Sequence, residues 1–246
     1  MTLNPGPGLA VAAALAVLVA AALALLARLG TARAAVLASA RAVGQLGAVS
    51  LLLGVVVRSL GASAGFVLFM VAVAAFTSAR RIGGNAWTLL PVAAGPLPVV
   101  VLLVVGRVVP ATGIAVIPTA GILVGGAMTA TSLAGRRMRD ELRARHGEVE
   151  AALSLGFLPR DAHVEIARPT AAQALVPALD QTRTVGLVTL PGAFVGMLLG
   201  GASPLQAGAV QLLVLVLLLA VETAAVAITV ELLCRGMLLT SGGTAP

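Results

Sequence analysis

Seven long apolar runs, separated by short polar stretches, constrain this chain more than any other feature of its sequence. A helix that crosses a bilayer needs about 20 mostly apolar residues. The runs lie at about 8–27, 34–57, 61–78, 87–106, 111–134, 184–200 and 206–233. The chain is 59% hydrophobic and 10% charged, whereas soluble domains are about 45–50% apolar and about 25% charged. We therefore predict an all-α, polytopic membrane protein of about seven transmembrane helices, with residues 1–246 forming one transmembrane domain.

The arginines predict which side of the membrane each loop faces, because short cytoplasmic loops carry an excess of basic residues. Alternate loops hold most of them: Arg28 and Arg33, Arg80 and Arg81, a cluster from Arg136 to Arg168, and Arg235. The intervening loops hold only Arg58, Arg107 and none at 201–204. This alternation predicts an external N-terminus and a cytoplasmic C-terminus in a cell (inner or plasma) membrane. The first run is read as a span and not as a cleaved signal peptide, because residues 1–7 contain no basic residue.

The complete absence of lysine excludes one function class. All 16 basic residues are arginine, so a phosphate-binding loop of the G-x-x-x-x-G-K-[ST] type cannot form, and this chain cannot itself hydrolyse ATP by that chemistry. The net charge of +7 follows from the loop arginines, and nucleic-acid binding is not needed to explain it. A single cysteine, Cys234, excludes an intrachain disulfide and a zinc site built from cysteines.

The only long polar segment lies at residues 135–170, directly before the last two apolar runs. Met138, Leu142, Val149 and Leu153 fall on one helical stripe. Glycine favours a helix end, so Gly156 ends the first helix, and proline suits a first helical position. These residues predict a cytoplasmic helix–glycine–helix elbow, opened again at Pro159 and stopped at Pro169.

The spacing inside this elbow resembles the EAA loop of ABC-transporter permeases, which reads E-A-A-x3-G-x9-I-x-L-P. The matching positions are Glu150, Ala151, Ala152, Gly156, Ile166 and Pro169, and only the leucine is replaced, by Arg168. The resemblance implies that these six residues couple the chain to a separate cytosolic ABC ATPase subunit, which would carry the ATP and magnesium. No cofactor is then expected on this chain.

Further runs resemble the bacterial Fet-type (FetB-like) iron-export ABC transporter permeases, a family with plant relatives linked to aluminium tolerance. These runs are 128–133, 140–145, 184–192 and 201–205. The resemblance implies a non-catalytic permease subunit that forms a homodimer, pairs with a cytosolic ATPase and exports iron or a related metal ion. The direction of transport follows from the family alone.

Polar side chains inside the predicted spans are candidates for a transport pathway, because ionisable groups at membrane depth are costly. Glu222 lies near the middle of the last run, with Gln211 near the same helical face. Arg41 and Gln45 share a face of the second run. From helix rise, Arg41 lies about 12 Å and Glu222 about 16 Å from the cytoplasmic ends, so the two side chains could meet. Either Glu222 offers a hard oxygen ligand to a passing cation, or the pair only orients two helices.

Weaker signals come from methionines and glycines. Met128 and Met197 are candidate soft ligands, although methionine in a membrane helix usually packs; with so few ligand types, the metal site stays unknown. Rows of glycines four residues apart favour close helix packing, within one subunit or across a dimer. They are Gly121 and Gly125 in the fifth run and Gly192, Gly196 and Gly200 in the sixth.

Other functions remain as alternatives. A secondary transporter or channel would need no ATPase but leaves the elbow motif unexplained, and an ABC permease could carry a non-metal substrate. A membrane enzyme is disfavoured because the runs contain no paired His/Asp motif or nucleophile constellation. A purely structural scaffold would not need the costly Glu222 and Arg41.

Overall fold

The computed structural model describes residues 6–238, and every regular element in that range is helical. Contacts divide the chain into two compact units, Met1–Arg58 and Ser59–Pro246. The all-α, polytopic class predicted from the apolar runs is confirmed.

The first unit is a helical hairpin. Its two helices pack against each other and are α1 Pro7–Leu26 and α2 Ala32–Val56. Pro7 opens α1 at a first-turn position, where its missing N–H is no loss. Both helices are long and apolar enough to cross a membrane.

The first half of the second unit contains the third to fifth predicted spans. Its helices are α3 Leu60–Ile82, α4 Leu89–Ala93, α5 Pro96–Val105 and α6 Gly113–Ala144, and a 3-10 turn, Ala86–Thr88, precedes α4. The fourth predicted span is therefore interrupted between α4 and α5, where Gly95 precedes Pro96. Helix α6 has 32 residues, about 48 Å of helix, and continues ten residues past the predicted span end at 134.

The second half of the second unit contains the elbow and the last helices. They are α7 His146–Ser154, α8 Pro159–Ala172, α9 Val176–Thr184, α10 Gly192–Leu199 and α11 Pro204–Cys234, and a 3-10 turn, Gln173–Leu175, joins α8 to α9. Ser203 caps α11, accepting a hydrogen bond from the Gln206 N–H while the Gln206 side chain accepts one from the Ser203 N–H.

The segment 184–200 differs from the expected continuous span. Six segments of the described chain are long and apolar enough to cross a membrane, and this one is not among them. Helix α10 has eight residues, about 12 Å of length. Before it, Thr184 ends α9 and its carbonyl accepts from the N–H groups of Leu187 and Val188, while Gly186 adopts a left-handed φ of +81°. Hydropathy registers the apolar composition of 184–200 but not this turn.

The core of the second unit is the contact of α6 with α3 and α11. Gly135 of α6 allows α3 to approach, because a Cβ there would lie 2.8 Å from Cγ2 of Ile82. The hydroxyls of Ser78 and Ser132 lie 2.8 Å apart across the same interface. Ser78 also donates to the carbonyl of Met128 at 3.0 Å. Small residues and a hydrogen-bonded pair therefore hold the two helices at close range.

Candidate coupling elbow and buried polar helix

The elbow is formed by α7, a glycine turn and α8. Glu150, Ala151 and Ala152 lie on α7, as their motif requires. Gly156 follows with a φ of +91°, a left-handed conformation that suits glycine, and the N–H of Phe157 donates to the carbonyl of Ala152. The predicted helix–glycine–helix turn is present, but the predicted single stripe is divided: Met138 and Leu142 lie on α6, and Arg145 separates them from α7.

One side of the elbow packs onto the membrane helices. Helix α8 contacts both α6 and α11, and its Ala162, Ile166 and Ala167 are buried, as is Val149 of α7. Pro169 was expected to end α8 but lies inside it. The chain tolerates the lost backbone hydrogen bond and stays helical to Ala172. The elbow is therefore anchored on α6 and α11.

The turn of the elbow presents apolar side chains outwards. Leu155 is 81% exposed and Phe157 48%, and Leu153 and Leu158 are exposed as well. We call Leu153, Leu155, Phe157 and Leu158 the elbow tip. An apolar cluster of this kind on a polar segment is typical of a protein contact site.

Ion pairs stiffen the start of the elbow. Arg145, between α6 and α7, pairs with Glu148 and, at 3.4 Å, with Glu141. The hydrogen bond from Arg145 lowers the pKa of the Glu148 carboxyl, and the bond to Glu148 raises the pKa of Arg145. Glu150 lies beside His146, with 3.6 Å between its Oε1 and the imidazole Nδ1.

A second ion pair joins the elbow to α11. Arg160 of α8 donates from Nε to Oε1 of Glu231 at 2.8 Å and from Nη2 to Oε2 at 2.7 Å. Arg235 donates to Oε1 of the same carboxylate at 2.5 Å. Arg235 follows Glu231 by four residues on the same helix, so local spacing could indicate that contact. Seventy-one residues separate Arg160 from Glu231, so no local spacing could indicate the pair.

Helix α11 carries a row of buried polar side chains. Gln211 is 5% exposed, Glu222 is 9% exposed, and Thr229 is fully buried. Thr229 satisfies its hydroxyl by donating to the carbonyl of Ala225. The Oε1 atom of Gln211, by contrast, is buried without a hydrogen-bond partner in the described chain.

Glu222 lies in the contact between α11 and α6. A Cβ at Gly126 would lie 2.7 Å from Oε1 of Glu222 and 2.4 Å from Cδ1 of Leu218, so glycine leaves room for the ends of these two side chains. Within residues 6–238, Glu222 takes part in no ion pair and no hydrogen bond. Sequence reasoning identified Glu222 but missed Gly126, which belongs to neither predicted glycine row.

The remaining candidate residues do not converge on Glu222 inside the second unit. Arg41 and Gln45 lie one turn apart on α2 of the first unit, so their proposed approach to Glu222 stays a prediction. Met128 packs against the cluster around Val71 and Val124. Met197 lies on α10, half-buried. No cluster of three or more His, Cys, Asp or Glu residues suited to a metal ion occurs in the described range.

The predicted glycine rows make little close contact within the second unit. A Cβ at Gly121 would lie 3.0 Å from Cε of Met70. At Gly125, Gly192 and Gly196 nothing of the described chain lies within 4 Å of such a Cβ, and at Gly200 only carbonyls of its own helix do. Packing of the α10 row across a dimer stays a prediction.

Comparison with known proteins places the chain in a family. The family described as "Uncharacterised protein family (UPF0014)" matches residues 8–238. The chain belongs to this family. The suspected kinship with Fet-type permeases and their plant relatives is thereby confirmed.

Named relatives come from plants and bacteria. The chain is 40% identical over 160 residues to "UPF0014 membrane protein STAR2" of Oryza sativa subsp. japonica, which covers 63% of this chain and 56% of the relative. It is 40% identical over 171 residues to "Protein ALUMINUM SENSITIVE 3" of Arabidopsis thaliana, covering 68% and 62%. It is 36% identical over 104 residues to "Probable iron export permease protein FetB" of Escherichia coli (strain K12), covering 42% and 40%.

These alignments span about two fifths to three fifths of each relative's length. No solved structure matches the chain significantly. The family and the six apolar helical segments together establish a multi-pass membrane protein.

Proposed function

We propose that this chain is the membrane-spanning permease subunit of an ABC transporter and that it exports iron or a related metal ion. A separate cytosolic subunit hydrolyses ATP, with magnesium, and docks on the elbow. The observation that carries the proposal is the elbow tip, where Leu155 and Phe157 are exposed at the Gly156 turn.

The elbow has the physical properties of a docking element. Its tip exposes apolar side chains. Covering them with a partner lowers the free energy by about 25 cal/mol per Å² of buried apolar surface. Its other side is anchored on α6 and α11, so a force applied at the tip reaches the membrane helices. A chain without lysine also needs its ATP hydrolysed elsewhere.

The substrate and direction are supported by a relative and by α11. The bacterial relative is named as a probable iron export permease. Glu222 supplies a buried carboxylate without a protein partner in the described chain, and carboxylate oxygen suits hard cations. Gln211, Arg41 and Gln45 are proposed to line the same pathway, with Met128 and Met197 as weaker candidates. A homodimer of the permease completes the proposed transporter.

Co-purification with candidate cytosolic ABC ATPases tests docking. Leu155→Asp and Phe157→Asp place a charge in the apolar contact, and each should reduce recovery of the ATPase by at least tenfold. Leu29→Asp makes the same change on an exposed leucine of the first unit and should leave recovery unchanged. Failure of the unmodified chain to retain any ATPase would favour an ATP-independent transporter instead.

Reconstitution in liposomes tests the substrate. The complex should hydrolyse ATP faster when iron or a related metal is supplied on the side that the ATPase occupies. Retention of the ATPase without stimulation by any metal would keep the ABC class and exclude the proposed ions.

A further inference from the structure

The contact between Arg160 and Glu231 is the ion pair that links the elbow to the last helix. Arg160 is the second residue of α8 and Glu231 lies in the last turn of α11. Two hydrogen bonds, of 2.8 and 2.7 Å, join the guanidinium to both carboxylate oxygens. A two-point contact of this kind fixes relative orientation as well as distance.

The other partners of these two side chains do not join the elbow to α11. Arg235 pairs with Glu231 from the same helix, four residues further on. Asp161 accepts from Nη1 of Arg160 within α8, at 2.8 Å. Removing either neighbour therefore leaves the bridge in place, whereas removing Arg160 breaks it.

Helix α11 is uninterrupted between Glu222 and Glu231. From Ala209 to Cys234 it contains neither glycine nor proline, so nothing in that stretch favours a kink. Glu222 lies nine residues before Glu231, about 14 Å along the same axis. A shift or rotation of the cytoplasmic end of α11 thus reaches Glu222 directly.

The ion pair of Arg160 and Glu231 contributes little to the stability of the fold. Both side chains are partly exposed, at 44% and 34%, and exposed ion pairs contribute little to folding. Buried alanines of α8 already hold the elbow against α6 and α11. The bidentate pair adds defined geometry to that contact.

We propose that Arg160 is a positioning residue whose bond to Glu231 couples movement of the elbow to the helix that carries Glu222. This inference rests on the proposed function, because the movement originates when the ATPase engages ATP. Without the bond the apolar contact of α8 remains but no longer fixes the orientation of α11, so ATP is hydrolysed but little substrate is transported.

The test measures ions transported per ATP hydrolysed by the reconstituted complex. Arg160→Gln should lower this ratio at least fivefold while basal ATPase activity and recovery of the ATPase subunit stay within twofold of the unmodified complex. Arg160→Lys keeps the charge but not the two-point contact. Its ratio of ions transported per ATP should lie between those of Arg160→Gln and the unmodified complex. Arg235→Gln and Asp161→Asn are matched controls that should change the ratio less than twofold.

A charge exchange separates a specific bond from a general defect. In an Arg235→Gln background, which removes repulsion of a second arginine, Arg160→Glu combined with Glu231→Arg should restore at least half of the transport ratio. An unchanged ratio in Arg160→Gln, or equal losses in Arg160→Gln and Arg235→Gln, would overturn the inference. An unmodified chain that binds no ATPase would instead refute the proposed function.

Discussion

Two glutamates on one helix, α11, lie in opposite environments. Glu231, at the end of α11, is partly exposed and bound by Arg160 and Arg235. Glu222, nine residues earlier, is 9% exposed and has neither ion pair nor hydrogen bond in the described chain. Its carboxyl group lies beside Gly126 of α6, where an added Cβ would be 2.7 Å from Oε1.

The difference indicates different roles. A paired carboxylate at a helix end fixes two elements relative to each other. An unpaired carboxylate in a low-dielectric contact costs free energy, and such groups in membrane helices mark functional sites. Glu231 therefore fits anchoring and coupling, and Glu222 fits binding of a cation.

The largest expected effect is on activity at Glu222. Glu222→Gln keeps the shape of the side chain but removes its charge, so it should abolish stimulation of ATPase activity by the substrate while the complex still assembles. Glu231→Gln should leave stimulation detectable. The measurement is ATPase rate against metal concentration for both variants; normal stimulation in Glu222→Gln would remove this residue from the pathway.

The next effect concerns the backbone against which Glu222 packs. Gly126→Ala forces the ends of the Leu218 and Glu222 side chains to move, and we expect it to cost about 1 kcal/mol. Gly125→Ala is the matched control, because nothing of the described chain lies within 4 Å of its Cβ and alanine favours a helix by about 1 kcal/mol.

Thermal unfolding in detergent measures this pair of variants. Cys234 is the only cysteine and is buried, so a thiol-reactive dye reports unfolding directly. Equal melting temperatures for Gly126→Ala and Gly125→Ala would show that α6 and α11 do not pack at Gly126 as described.

A smaller effect compares the stabilities of the two glutamate variants. Glu231→Gln removes two partly exposed ion pairs, with Arg160 and Arg235, and should cost no more than about 1 kcal/mol for each. Glu222→Gln replaces a buried carboxyl group that has no partner in the described chain and should not lower the melting temperature, because burying such a group is itself costly. A marked loss of stability in Glu222→Gln would point to an ion-pair partner for that carboxylate, as predicted for Arg41.

The smallest effect is expected at Glu148, an exposed carboxylate at the start of the elbow. The bond from Arg145 lowers the pKa of Glu148. A lowered pKa stabilises the folded chain at pH values above the ordinary carboxyl pKa, and the contribution is lost as the pH falls through the lowered value. Between pH 7 and 5 the difference in melting temperature between Glu148→Gln and the unmodified chain should therefore stay constant. A divergence in this range would show that another group controls the elbow.

Sequence patterns predicted the parts of the molecule that local chemistry determines. The long apolar runs predicted most of the spans. Pro159 predicted the start of α8, and the motif from Glu150 to Gly156 predicted the turn of the elbow. The prediction that Pro169 ends α8 was wrong, because packing of α8 on its neighbours outweighs one lost backbone hydrogen bond.

Tertiary features could not be predicted in the same way. The pairing of Arg160 with Glu231 joins residues 71 positions apart, and the contact at Gly126 depends on which face of α6 meets α11. Thr184 to Pro191 read as part of an apolar span, because hydropathy does not register the hydrogen bonds of a turn. The ion pair and the Gly126 contact depend on how helices meet, and the turn depends on local backbone hydrogen bonds.

Equilibrium binding of radioactive iron to the detergent-solubilised complex tests the division between the two glutamates most directly. Glu222→Gln should lose iron binding by at least tenfold in affinity, whereas Arg160→Gln should bind like the unmodified complex and fail only in transport per ATP. Unaltered binding in Glu222→Gln, or a comparable loss of binding in Arg160→Gln, would contradict the account.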